Sequence, residues 1–511
     1  MAQQPSDLDM VNQIRQEAFH HSQVMDTLTE MTESFGARLS ASPQKARADD
    51  WAVDKFEKWG LSHVHKEAFE DFGRGWEYTN INVRMVSPRT APLLALPEAW
   101  SPGTNGTVEG EVMKVSIESP EDLDKYKGKL AGKILLLDDA REYERRDEPA
   151  SDRYDAKELA QKHEFEIPGD EDRREKWIKR YTERKALSRA SKKFFAKEGV
   201  LATISISRLD NGILRVTGSG SRKADEPEGV PSLVMAAEHY NELVRDVERD
   251  QPVKLKINVA AHFTSDSNLP GHNVIAEIPG NGPHADQVVM LGAHFDSWHT
   301  ATGASDNGTG VAVMMEAMRI LKAIGAKPDR TIRVALWGGE EQGLIGSRAY
   351  VNQHFASWPE PTNPEQKKLP SWLRKPTGEP RTKPGYDRLA AYFNLDNGSG
   401  RIRGIYAQEN VAVMPIFKSW LKPFHDVGAT DVVSGNTGST DHISFDRVGL
   451  PGFQFIQDWL DYFPHVHHTN LDTLDHVESK DLKQAAAVVA WFAYKAATRP
   501  DKLPRKPLLK D

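Results

Sequence analysis

Short apolar runs alternate with amphipathic segments through the second half of the chain. Three runs of mostly apolar residues, at 287–291, 331–337 and 389–393, have the length and composition of strands that are buried on both faces. Apolar residues at helical spacing follow the first run, from Asp306 to about Leu321. This alternation predicts an α/β domain with neighbouring parallel strands.

Polar side chains that bind metals follow each of these predicted strands. His294 comes after the first run, Glu340 and Glu341 after the second, and Asp396 after the third. Because the carboxyl ends of parallel strands meet at one edge of a sheet, we expect these side chains to lie close together. Asp306 stands at or near the start of the predicted helix, where the helix dipole favours its charge.

A later segment, His467-His468-Thr469, adds imidazoles to these carboxylates. Zinc takes imidazole nitrogen and carboxylate oxygen as ligands, and two zinc ions can share a carboxylate and a water. Three carboxylates set against two dications leave one positive charge, which a bridging hydroxide cancels. The sequence therefore predicts a site for two Zn²⁺ ions, with five ligands: His294, Asp306, Glu341, Asp396 and His468.

Glu340 and Asp296 complete the predicted chemistry. With Glu341 assigned to a metal ion, Glu340 is placed to take a proton from the bridging water as a carbonyl is attacked, and to return it to the leaving amine. Asp296, two residues after His294, is predicted to accept the second imidazole N–H of that histidine and so to fix its tautomer.

The candidate residues occur in five ordered segments, namely GAHFDSW at 292–298, GASDNGTG at 303–310, WGGEEQGLIGSRAY at 337–350, NLDNGSG at 394–400 and HHTNLDT at 467–473. In these segments the chain resembles the co-catalytic zinc exopeptidases, a family that includes bacterial leucyl aminopeptidases, glutamate carboxypeptidase and carboxypeptidase Q. The resemblance extends from about residue 28 to 497. It is strongest to carboxypeptidase-Q-like members, through FGARLSAS at 35–42, GRGWEY at 73–78 and GHNVIAEIPG at 271–280.

The resemblance implies a mixed, mostly parallel sheet sandwiched by helices, interrupted by an inserted β-rich protease-associated domain. It implies the same five ligands, with Asp306 bridging, and Glu340 as the base. It selects His468 over His467, because the family's ligand directly precedes a Thr or Ser. It also relates the pair Asp441-His442 to a recurring block near the substrate, and leaves His299 without an assigned role.

The predicted domain organisation follows from these segments. The peptidase domain takes residues 9–97 and 266–499, the inserted domain takes 98–265, and a tail takes 500–511. A charged stretch at 141–188 is longer than the inserted domain needs, and we expect a helical excursion there. A second excursion, at 359–384, is rich in proline and predicts an extended surface loop that overhangs the cleft.

Composition excludes some classes of binding partner, but it does not decide the cellular location. The formal net charge is −8, which argues against nucleic acid as a partner, and the absence of cysteine excludes disulfides and thiolate sites. The apolar run at 483–497 is too short for a membrane span. The first residues lack the pattern of a signal peptide and fit the start of a mature chain, so we expect a periplasmic or secreted protein, with the cytoplasm as the alternative. A homodimer is left open.

The function predicted is that of a zinc-dependent exopeptidase acting on dipeptides or short peptides. Aminopeptidase, carboxypeptidase and dipeptidase activities all remain compatible with the sequence. Two alternatives are a glutaminyl-cyclase-like acyltransferase with a single zinc ion and a receptor-like binding module without catalysis. The complete set of five ligands argues against both.

Overall fold

A computed structural model describes residues 7–145, 149–164 and 172–508 of the chain. The helices in those residues are α1 Asp7–His20, α2 Val24–Phe35, α3 Pro43–Lys58, α4 Ala156–Gln161, α5 Asp172–Glu198, α6 Ala237–Glu248, α7 Thr309–Ala323, α8 Ile345–His354, α9 Pro364–Lys368, α10 Met414–Leu421, α11 His442–Asp446 and α12 Ser479–Thr498.

The strands, in chain order, are β1 Ser62–Gly73, β2 Trp76–Ser87, β3 Ala91–Pro92, β4 Ala95–Pro97, β5 Val108–Lys114, β6 Lys133–Leu136, β7 Ala202–Ile206, β8 Ser232–Met235, β9 Lys254–Phe263, β10 Leu269–Ile278, β11 Val288–His294, β12 Thr331–Trp337, β13 Ala356–Ser357, β14 Arg381–Thr382, β15 Leu389–Asn394, β16 Ile402–Tyr406, β17 Asp431–Val433 and β18 Gly452–Gln457.

The first large sheet has eight strands in the order β1-β10-β12-β11-β15-β18-β16-β17. Its centre, from β12 through β11 and β15 to β18, is parallel, whereas β1, β10 and β16 add antiparallel pairings. The three apolar runs predicted as strands are β11, β12 and β15, and every residue of β11 and β15 is buried. The predicted α/β architecture with a mixed sheet is therefore confirmed.

Helices cover both faces of this sheet, because alternate residues of each strand point to opposite sides. Leu291 and the other odd-numbered residues of β11 pack with α1, α2, α7 and α12 in one core, whereas Met290 packs with α8 and α11 on the other face. The apolar run at 483–497 lies within α12 and is largely buried. In the described part of the chain, none of the helices has the length and hydropathy of a membrane span.

A second eight-stranded sheet, in the order β3-β2-β9-β5-β6-β7-β8-β4, lies in the chain between β1 and β10 of the first. Its central strands β5 to β8 are parallel, and α6 packs against it through Tyr240, Leu243 and Val244. The second sheet also includes β2, β3 and β4, which precede residue 98, the predicted start of the inserted domain. Because β2 forms a long antiparallel pair with β9, the second sheet begins at Trp76.

The two excursions contain more regular structure than the sequence pattern predicts. In the first, α5 runs from Asp172 to Glu198 as one continuous helix, which extends past residue 188, where the expected helical excursion ends. In the second, α9 and the two-stranded pair β13-β14 interrupt the expected loop. The excursions touch each other, because Arg174 on α5 donates a hydrogen bond to the Leu373 carbonyl at 3.3 Å. Residues 500–508 form no helix or strand, but Leu503 is buried.

Candidate metal centre

The parallel strands deliver the predicted ligands to one edge of the first sheet. His294 is the last residue of β11 and lies beside Trp337, the last residue of β12. Gly292 pairs with Asn394 at the end of β15, so Asp396 follows two residues beyond that edge. Glu341 lies in the turn between β12 and α8. The side chains thus approach one another from three adjacent strands.

Asp306 lies between the two imidazoles of the site. His294 Nε2 is 3.3 Å from Asp306 Oδ1 and 3.3 Å from Asp396 Oδ1. On the other side, His468 Nε2 is 3.2 Å from Asp306 Oδ2 and 3.0 Å from Glu341 Oε2. The structure therefore brings together all five residues that the sequence predicts as ligands, and it divides them into two groups that share one carboxylate.

The carboxylate of Asp296 has a different neighbour from the one predicted. The backbone carbonyl of Asp296 accepts the His294 Nδ1 hydrogen bond at 2.9 Å, while its carboxylate Oδ1 is 3.9 Å from that nitrogen. The carboxylate instead accepts the backbone N–H groups of Glu340 at 3.1 Å and Glu341 at 3.4 Å. The expectation for the Asp296 side chain was therefore wrong, because a backbone acceptor lies closer. The tautomer is still fixed, because a neutral ring that donates from Nδ1 has its lone pair on Nε2, the nitrogen that faces Asp306 and Asp396.

Asp472 and Arg38 hold the Asp306 loop, and neither was identified as a site residue from the sequence. The Asp472 carboxylate accepts the N–H of Ser305 at 2.6 Å and of Asp306 at 3.2 Å. The buried Arg38 donates to the carbonyls of Phe295 at 2.9 Å and of Gly303 at 2.8 Å. Arg38 thus ties the end of β11 to the loop that carries Asp306. In the sequence, its only signal is its place in the segment FGARLSAS.

Buried carboxylates crowd the site and shift one another's protonation. Burial raises the pKa of Glu341 to about 7, although His468 acts in the opposite direction. Burial lowers the pKa of His468, but Glu341 and Asp306 outweigh it and raise that pKa to about 10. Burial, together with Asp396, raises the pKa of Glu340 well above its usual value. In the metal-free protein, the side chains predicted as metal ligands therefore carry protons.

The donor set fits a divalent metal ion. Asp306 Oδ2 and Glu341 Oε1 are buried and accept no hydrogen bond from the described residues. One ligand atom each from His294, Asp306 and Glu341 lies within 4.8 Å of the others, as does one each from Asp306, His467 and His468. Imidazole nitrogen and carboxylate oxygen are the donors that zinc combines, and a metal ion would satisfy these buried carboxylate oxygens.

The second histidine of the pair, His467, is turned towards a different partner. Its Nε2 lies 3.8 Å from Asp306 Oδ2, farther than that of His468. Its Nδ1 is 2.6 Å from an Nη of Arg215. A guanidinium only donates hydrogen bonds, so Nδ1 of His467 is the acceptor, and a neutral ring then carries its proton on Nε2. This arrangement favours His468 as the metal ligand.

The remaining polar candidates lie around the site. Burial raises the pKa of Asp441 to about 7, and this carboxylate lies in the field of His294 and Asp396. His442 contacts the Thr437 carbonyl through Nε2 at 3.0 Å. His299 is buried against Trp76 and contacts the Pro97 carbonyl at 2.7 Å, and burial lowers its pKa to about 4. His299 is thus a neutral residue at the boundary with the second sheet.

Comparisons with known proteins find peptidases. Residues 273–493 match the sequence profile described as peptidase family M28. Carboxypeptidase Q of Mus musculus is 24% identical over 476 residues, which cover 93% of this chain and 86% of that protein. Aminopeptidase YwaD of Bacillus subtilis (strain 168) is 27% identical over 289 residues, which cover 54% of this chain and 53% of that protein.

Among solved structures, a peptidase M28 precursor from Shewanella amazonensis SB2B matches with a TM-score of 0.66 and 24% identity, covering 98% of this chain and 99% of that one. A zinc aminopeptidase from Bacillus subtilis matches with a TM-score of 0.55 and 19% identity, over 93% and 95% of the two chains. At these identities the likeness shows a shared fold. The profile match at residues 273–493 and the carboxypeptidase Q relative along most of the chain show that the protein is a peptidase similar to family M28.

Proposed function

We propose that this chain is a di-zinc exopeptidase that hydrolyses dipeptides or short peptides, with Glu340 as the general base. The observation that carries the proposal is the position of Asp306, whose two carboxylate oxygens face separate imidazoles at 3.3 Å and 3.2 Å. A carboxylate in that position suits a bridging ligand. His294 and Asp396 would hold one ion, and His468 and Glu341 the other. The names of the relatives, carboxypeptidase Q and aminopeptidase YwaD, support an exopeptidase.

Bound zinc ions supply Lewis-acid polarisation of the scissile carbonyl and lower the pKa of a water molecule. Glu340 takes the proton of the attacking water and passes it to the leaving nitrogen. Its backbone is held by Asp296, and burial together with Asp396 and Glu341 outweighs His294 and raises the pKa of its carboxylate, so its affinity for a proton is high. Arg38 and Asp472 act at a distance from the substrate, by fixing the loop that carries Asp306.

We further propose that the second sheet is the core of an inserted protease-associated domain, extended at its start to include β2. Its contacts with His299 through Trp76 and Pro97 support a role in closing one side of the cleft. The periplasmic or secreted location and the homodimer stay predictions.

Replacing Glu340 by Gln removes the proton carrier while keeping the size of the side chain. We expect kcat on a dipeptide to fall by roughly 100- to 10,000-fold, with zinc content unchanged. Steady-state kinetics combined with metal analysis by mass spectrometry measures both. The matched control is Glu365→Gln on the exposed helix α9, which should keep full activity. A Glu340→Gln enzyme that holds its zinc and turns over at the wild-type rate would rule out Glu340 as the base.

The two neighbouring histidines provide a paired test of the metal ligands. The wild-type protein should bind two zinc ions per chain, and His468→Ala should lose one of them because Nε2 of His468 contacts both Asp306 and Glu341. His467→Ala should keep both, since its Nδ1 is engaged by Arg215. Zinc-to-protein ratios measured after dialysis show which variant has lost a zinc ion. Loss of metal from the His467 variant alone would reverse the assignment.

Zinc affinity should rise steeply with pH. Binding requires Glu341 to be ionised and His468 to be neutral, whereas in the metal-free protein their pKa values are about 7 and about 10. Both groups therefore release protons as zinc binds, and the affinity increases as pH rises. Between pH 6.0 and 7.5 we expect an increase of at least roughly 30-fold, one decade per pH unit for His468 alone. Competition with a chromophoric chelator measures it, and an affinity independent of pH would contradict the assigned ligands.

A further inference from the structure

Arg215 is carried to the edge of the metal centre by the second sheet. It lies in the connection between β7 and β8, flanked by Leu214 and Val216, which are both buried in a small core against β8. Because alternate residues of an extended segment point to opposite sides, the side chain of Arg215 points away from this core. Its guanidinium reaches His467, with Nη2 2.6 Å from Nδ1.

The backbone that carries Arg215 is fixed against the segment that carries His468. Val216 N–H donates to the His468 carbonyl at 3.1 Å, and Asn470 N–H donates to the Leu214 carbonyl at 3.1 Å. The side chain of Asn470 also accepts the N–H of Leu214 at 2.7 Å. These bonds form a short antiparallel bridge at Arg215 and Thr469. The position of Arg215 relative to the metal ligands is thus set by backbone hydrogen bonds.

Arg215 is half-buried and forms no ion pair with any carboxylate in the described ranges. Burial lowers its pKa, while the negative charges of Asp306 and Glu341 act in the opposite direction. Those two carboxylates are metal ligands in the proposed function, so bound zinc would neutralise the charge that compensates Arg215. A partly desolvated guanidinium beside a site whose carboxylates are neutralised then lacks an anion, which is costly unless a ligand provides one.

We propose that Arg215 binds the free α-carboxylate of the peptide substrate, so that the enzyme recognises the C-terminal end of the peptide. This inference rests on the proposed function. Guanidinium and carboxylate match each other in a planar, bidentate geometry. One imidazole ring, that of His467, separates Arg215 from Asp306. An extended residue spans about 3.3–3.6 Å, so the carboxylate held by Arg215 belongs to the residue that is released by cleavage.

Arg208 provides a matched control in the same connection between β7 and β8. It is exposed and has no carboxylate partner among the residues that the structure describes, and it is close enough to Arg215 to lower the pKa of that residue. It has the same charge as Arg215, but among the described residues no hydrogen bond or ion pair joins its side chain to the His467-His468 segment. Comparing Arg215→Gln with Arg208→Gln therefore distinguishes the loss of a specific contact from the loss of one positive charge near the cleft.

The experiment compares Leu-Leu with Leu-Leu-amide and with N-acetyl-Leu-Leu on the zinc-loaded full-length enzyme. In the wild type, amidation should lower kcat/KM by roughly 10- to 100-fold, as expected for the loss of a charge-assisted contact. Arg215→Gln should lower kcat/KM for Leu-Leu by a similar factor, chiefly through KM, and should leave Leu-Leu-amide unchanged. Arg215→Lys should recover part of the loss, and Arg208→Gln should stay within about threefold of wild type.

Binding of a product analogue provides a readout that does not depend on turnover. Calorimetric titration with N-acetyl-leucine and N-acetyl-leucinamide should show that the wild type prefers the carboxylate and that Arg215→Gln loses this preference. Equal losses on Leu-Leu and its amide, or a wild type indifferent to amidation, would overturn the inference. If no peptide is hydrolysed, the proposed function fails, and the titration alone decides whether Arg215 recognises a carboxylate.

Discussion

The fold of the peptidase domain concentrates negative charge where water cannot solvate it fully. Asp306, Glu341 and Asp396 meet around His294 and His468 at the carboxyl edge of the central strands, and Glu340 lies beside them. Carboxylates so close together repel each other and pay a desolvation cost, which shows in the raised pKa values of Glu340 and Glu341. Divalent cations remove both penalties, so the geometry of the protein is complementary to metal ions.

Hydrogen bonds from the surrounding structure hold these side chains in place. Arg38 and Asp472 fix the loop that carries Asp306, and Asp296 fixes the turn that carries Glu340. The second sheet fixes the segment that carries His468, through backbone hydrogen bonds between residues 214–216 and 468–470. Catalytic precision depends on such support, because groups misplaced by an ångström lose much of their effect. The second sheet therefore supports the candidate metal centre and also brings Arg215 to its edge.

Much of the site could be predicted from the sequence, because parallel strands convert chain order into spatial proximity. Apolar runs located β11, β12 and β15, and the polar residues after them located His294, Glu341 and Asp396. The role of the Asp296 carboxylate was mispredicted, since a spacing of two residues does not distinguish a side-chain acceptor from a backbone carbonyl. Arg38, Asp472 and Arg215 act through contacts with residues far away in the chain, and no local pattern signals such contacts. For the same reason, the pairing of β2 with β9 moved the start of the second sheet.

Anomalous diffraction at the zinc edge, from crystals of the zinc-loaded protein, locates the metal ions themselves. A shared two-ion centre should give two peaks about 3.5–4 Å apart, with one carboxylate oxygen of Asp306 directed at each, His294 beside one peak and His468 beside the other. A single peak, or peaks that Asp306 does not join, would contradict a shared two-ion centre at this edge of the sheet.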